Sequence, residues 1–157
     1  MDGRTPGTGT AGSSASALDH YVPYLLNHVG GRIAMGVARD IRAHGISFTM
    51  WRVLHTLWHT GPLKLVQLAA KANFDLSTLS RVVSELETRG LLARGAGRGV
   101  SASLTPAGAA LVETLLPLAH ESEEKALSVL SPGERAILVE LLHKLDRAVR
   151  GHPRRLR

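Results

Sequence analysis

The chain has 157 residues, of which 44% are hydrophobic and 20% charged, with a formal net charge of +6 and no cysteine. That length suits one domain with a substantial core, and the lack of cysteine excludes disulfides, thiolate metal sites and thiol redox switches. No apolar run nears the roughly 18 residues of a membrane span, and the opening MDGRTPGTGTAGSSASA lacks the apolar centre of a secretory signal.

This Gly-, Ser- and Thr-rich opening predicts a disordered arm over residues 1–16. A single domain is expected from 17 to 157, in a cytoplasmic protein. The first long element covers residues 17–43, where Tyr21, Leu25, Val29, Ile33, Val37 and Ile41 repeat every four residues, as in an amphipathic helix. Gly30, Gly31 and Gly36 lie inside it, either to admit a close neighbour or to mark a bend. A second helix is expected over 48–59, with Ser47 as its N-cap and Gly61-Pro62 as its end.

Two shorter helices follow, over 65–72 and 76–88, separated only by Asn73, Phe74 and Asp75. That spacing fits a helix-turn-helix. Asp75 is a good N-cap, Leu79, Val82, Val83 and Leu86 form the inward stripe of the later helix, and Gly90 ends it. The period then changes from helix to strand: residues 91–94 are short and apolar, and 100–104 alternate as a half-buried strand does. GAGRG lies between them as a tight hairpin tip. Thr105-Pro106 caps a helix continuing to about residue 130, and Ser131-Pro132-Gly133-Glu134 has capping-box spacing for a last helix. On that helix Ile137, Leu138, Leu141, Leu142, Leu145 and Val149 are expected on the buried side. The predicted fold is mainly α with a β-hairpin wing: a winged helix-turn-helix over 47–105, flanked by dimerisation helices over 17–43 and 106–150.

Charge concentrates in two places. Residues 144–157 carry six basic side chains against one acid, and residues 61–100 carry six against three. Such an excess suits a polyanion such as nucleic acid; a solubilising surface explains it equally well.

The stretch LAAKANFDLSTLSRVVSELETRGLLAR, followed by SLTPAG, resembles the MarR family of bacterial transcription regulators, and the resemblance extends over residues 18–150. It implies a homodimer on a pseudo-palindromic operator in double-stranded DNA, with repression as the default. The recognition helix would offer Ser77, Thr78, Ser80, Arg81 and Ser84 to the major groove, where hydroxyls and guanidinium read base edges or phosphates. Lys64, Lys71 and Arg98 would hold the backbone. The wing departs from the family: it is shorter and lacks the usual acidic residue, although Arg98 sits near the expected tip, where the family has a minor-groove arginine.

In this family the first, second and fifth helices line a cavity that in many members binds small aromatic acids. Carried over, that cavity would be lined by His28, Arg32, Trp51 and His55, with the arginine pairing a carboxylate. A DNA-binding protein with no such effector, controlled by abundance or by a protein partner, is the alternative. His55 and His59 stand four apart, as two metal ligands would, but no Cys, Asp or Glu nearby completes a set, so neither metal nor cofactor is expected. No G-x-S-x-G, H-E-x-x-H or paired-carboxylate spacing suggests an enzyme. GAGRGV is not a dinucleotide loop, because an alternating strand follows it rather than a helix.

Overall fold

The computed structural model describes residues 18–95 and 101–150. The expected disordered arm (1–16) and the wing tip with Arg98 lie outside the described residues.

Among the described residues, six helices and three short strands follow in the order α1 (Val22–Ile41), a 3-10 turn (Arg42–His44), α2 (Phe48–Thr60), β1 (Leu63–Lys64), α3 (Leu65–Ala72), α4 (Leu76–Thr88), β2 (Leu92–Gly95), β3 (Ser101–Leu104), α5 (Pro106–Leu127) and α6 (Pro132–Arg150). The helices begin where side chains can accept from the free backbone N–H groups of a first turn. Ser47 accepts from the Met50 N–H, Asp75 from that of Thr78, and Thr105 from that of Gly108. At α6, Glu134 reaches back to the Ser131 N–H while the Ser131 hydroxyl accepts from the Glu134 N–H. Left-handed residues close three of the turns: Asn73 after α3 with φ 53°, Gly90 after α4 with φ 70°, and Gly45 before α2 with φ 69°.

Four details differ from the sequence expectation. The first long helix starts at Val22 rather than residue 17, because Pro23 suits only a first helical turn. A third strand, β1, was not foreseen; it pairs antiparallel with β3 through Leu63↔Ala102 and Lys64↔Ser101, giving the order β1-β3-β2. Helix α5 stops at Leu127, short of residue 130. Finally, the stripe of α6 is not buried within the chain: Ile137, Leu141, Leu142, Leu145 and Val149 are exposed, Val149 to 72%.

The core lies where α2, α3, α4 and the start of α5 meet the small sheet. Leu54, Leu57, Leu68, Leu79, Val83, Leu86, Val112 and Leu115 are essentially inaccessible, each contributing about 1.5–3 kcal/mol of burial. Helix α1 joins that core only at its C-terminal end, through Val37 and Ile41. It runs along α5, and Gly36 permits the approach, since a Cβ there would lie 2.7 Å from the Ser122 hydroxyl. Toward its N-terminus Val22, Leu25, Leu26 and Val29 are left exposed. Two open apolar helix faces, on α1 and α6, are unusual for a self-contained monomer.

Candidate nucleic-acid interface

Helices α3 and α4 with the turn Asn73–Asp75 between them make the helix-turn-helix. Leu79, Val83 and Leu86 point inward and are buried, with Val82 half-buried. One period round the helix, Ser77, Ser80, Arg81 and Ser84 are exposed and Thr78 is half-exposed. The apolar stripe therefore fixes which face of α4 meets solvent.

The exposed residues are not equivalent. Asp75 accepts from the Ser77 hydroxyl at 2.5 Å, the Thr78 hydroxyl at 2.7 Å and the Thr78 N–H at 2.8 Å. These donors hold its carboxyl far below the usual carboxylate range, the Ser77 hydroxyl most strongly. With their single protons given to Asp75, the two hydroxyls present lone pairs outward. Ser84 accepts from an Arg94 guanidinium nitrogen at 2.6 Å, and Arg94 also pairs with Glu87 at 2.9 Å. Both Ser84 and Arg94 are thus engaged in bracing strand β2 against α4. The side chains of Arg81 and Ser80 have no hydrogen-bond or ion-pair partner among the described residues, which leaves the guanidinium free for an anion. Lys71 is exposed near the end of α3, and Lys64 is exposed on β1, where its N–H donates to the Gln67 side chain at 3.3 Å.

Arg52 on α2, which the sequence reading passed over, holds the turn. It donates to the carbonyls of Ala72 and Asn73 and lies 4.2 Å above the Phe74 ring. It therefore satisfies carbonyls at the open end of α3 and adds a cation–π contact. Partial burial lowers its pKa, yet a guanidinium remains charged. Arg89 ties the end of α4 to the turn before α2, donating to the Gly45 carbonyl at 2.9 Å. No sequence pattern signals either clamp, because the acceptors are backbone atoms of distant residues.

Behind the helix-turn-helix lies a cavity of about 640 Å³ between α1, α2, α5 and α6. Of the four residues expected there, Trp51 and His55 line it. His28 and Arg32 do not: His28 stacks on Tyr24 beside a separate depression near Leu18, and Arg32 is exposed. The cavity face of α1 is Val22, Leu25, Leu26, Val29, Gly30, Ile33 and Val37. Residues 28 and 32 each stand one position before a member of that stripe, about 100° round the helix. Trp51 packs on His55 with ring centroids 4.9 Å apart, and the Nε2 atoms of His55 and His59 are 3.1 Å apart. Burial, then the neighbouring His59 and His120, lower the His55 pKa and so favour its neutral form.

The MarR family model matches residues 46–96, from the approach to α2 through the first strand of the wing. YkoM, an HTH-type transcriptional regulator of Bacillus subtilis (strain 168), is 33% identical over 110 residues, 68% of this chain and 71% of that protein. A MarR family transcriptional regulator from Silicibacter pomeroyi is 31% identical with a TM-score of 0.78, covering 86% of this chain and 94% of that one. BpsR of Bordetella bronchiseptica, whose DNA binding is regulated by 6-hydroxynicotinic acid, is 30% identical with a TM-score of 0.74, covering 80% of this chain and 98% of that one.

Proposed function

This chain belongs to the MarR family of transcriptional regulators, and on that premise we propose that it is a homodimeric repressor whose grip on its operator is released by a small ligand in the cavity beside Trp51. The observation that carries the reading is the exposed polar face of α4, where Arg81 stands free of any partner among the described residues while Ser77 and Thr78 are preset by Asp75. A rigid helix with free polar groups near its N-terminus is what a major groove accepts. Lys64 and Lys71 contact phosphates and set the register. Arg98, outside the described residues, is assigned to the minor groove on the family resemblance alone.

A second copy of the chain covers the open faces of α1 and α6. The resulting twofold symmetry places two recognition helices about one helical turn of DNA apart, which makes the operator pseudo-palindromic. Ligand control runs through α2. Trp51 and His55 face the cavity, and Arg52 on the same helix grips the helix-turn-helix turn. A ligand that prefers a shifted α2 shifts the reading heads with it, by no more than its differential affinity for the two arrangements. The regulation of BpsR by a small aromatic molecule supports this reading.

The test is selection of bound fragments from the source genome, followed by footprinting on the selected site. The expected footprint has twofold symmetry, with protection in two successive major grooves. Failure to enrich any sequence over bulk genomic DNA would refute sequence-specific regulation.

A further inference from the structure

The side chains on the first turn of α4 offer acceptors and no free donor. The Asp75 carboxyl is held far below the usual carboxylate range, so it stays ionised and has no proton of its own to give. The protons in its bonds to the Ser77 hydroxyl, at 2.5 Å, and the Thr78 hydroxyl, at 2.7 Å, therefore come from those hydroxyls. Turning either hydroxyl outward to donate to a base would exchange a bond to a full charge for a neutral one, roughly half as strong. Ser77 is exposed and Thr78 half-exposed, and each keeps lone pairs for an incoming donor.

The opposite polarity stands one turn on. Arg81 is exposed, four residues after Ser77 on the same face, and a guanidinium only donates. Guanine, with its acceptors O6 and N7, suits Arg81 and not the first turn, where the Asp75 charge also repels an acceptor edge. The first turn suits an exocyclic amino group, which adenine carries on N6 and cytosine on N4. The residue between the cap and Ser77 chooses between the two. Leu76 is 53% exposed, although the other leucines of α4, Leu79 and Leu86, are buried. Of the base pairs, only A·T shows both an amino group and a methyl group in the major groove.

We propose that the first turn of α4 selects an A·T pair in each half of the operator, with Ser77 accepting from the adenine amino group and Leu76 covering the thymine methyl. Asp75 is a positioning residue: it sets the polarity of the hydroxyls that meet the base. The proposal rests on the reading of α4 as the recognition helix and specifies what that helix reads.

The experiment is selection of a site for the full chain from random duplexes, then anisotropy titration of that site with single groups removed. Unsubstituted purine in place of adenine lacks the amino group, and uracil in place of thymine lacks the methyl. At one A·T pair in each half-site both replacements should weaken binding, the purine by roughly fivefold or more. Leu76→Ala should bind the thymine and uracil sites equally. Asp75→Gly removes the carboxylate and frees both hydroxyls to donate, and glycine is still accepted at an N-cap. At that same pair its preference for adenine over guanine should shrink, while its preferences elsewhere stay. A tightly bound site that no purine replacement weakens overturns the proposal, as does one weakened only by loss of a cytosine amino group. Parental selectivity in a folded Asp75→Gly protein overturns it too. Selection that enriches nothing refutes sequence-specific regulation itself, and this inference with it, so the two failures are distinguishable.

Discussion

Replacing Gly108 by alanine sets two effects of opposite sign against each other. Gly108 is the third residue of α5, and within a helix an alanine is favoured over glycine by about 1 kcal/mol. A Cβ there, however, would fall inside contact distance of the Leu91 carbonyl oxygen, with the Leu91 carbonyl carbon 3.0 Å away. Neither side can yield cheaply. The Leu91 carbonyl accepts from the Thr105 N–H at 3.1 Å, the Leu91 N–H donates to the Leu86 carbonyl at 2.9 Å, and the Gly108 N–H is held by the Thr105 hydroxyl. The start of α5 must therefore move off the Leu91 backbone, a shift that costs about 1–3 kcal/mol and at a backbone contact tends to the upper end. Sterics outweigh propensity, and Gly108→Ala should destabilise the chain by about 2 kcal/mol. Urea unfolding at fixed protein concentration measures this directly, since a dimer's midpoint depends on concentration. A midpoint equal to or above that of the parent would refute the close packing of α5 against Leu91.

Two further outcomes follow from the site. Arg52→Ala removes charge-assisted bonds to the carbonyls of Ala72 and Asn73 and the contact with Phe74, so unfolding should show a loss of about 1–3 kcal/mol, with operator affinity falling further than stability alone explains. Asp75→Asn should flatten the acid limb of the stability profile. The Asp75 pKa is depressed in the folded chain, so its stabilisation is fully present above the unfolded value of about 3.9 and is lost as pH falls through the lower folded one; urea midpoints between pH 5 and pH 2 that fall in parallel for parent and variant would contradict this.

How far the sequence spoke depended on whether a feature was local. The bounds of α4 could be read from its caps, because Asp75 and Gly90 act on neighbours within one turn. Strand β1 was invisible: two residues after a proline carry no period, and their partners, Ser101 and Ala102, lie far along the chain. The α1 and α6 stripes were correctly periodic, yet periodicity records only that a face is apolar, not what covers it. Arg32 was placed at the cavity by its chemistry, although the helical spacing of Val29, Ile33 and Val37 already assigned the cavity face to other residues. Arg52 could not be found at all, since carbonyls of Ala72 and Asn73 leave no mark in side-chain identity.

The central claim is that the free face of α4 binds DNA, and Arg81 tests it most directly. Fluorescence anisotropy with the selected operator fragment should show Arg81→Ala weakening binding by about 1–3 kcal/mol, while log affinity of the parent falls linearly with log salt. An Arg81→Ala protein with parental affinity and an affinity indifferent to salt would contradict the account.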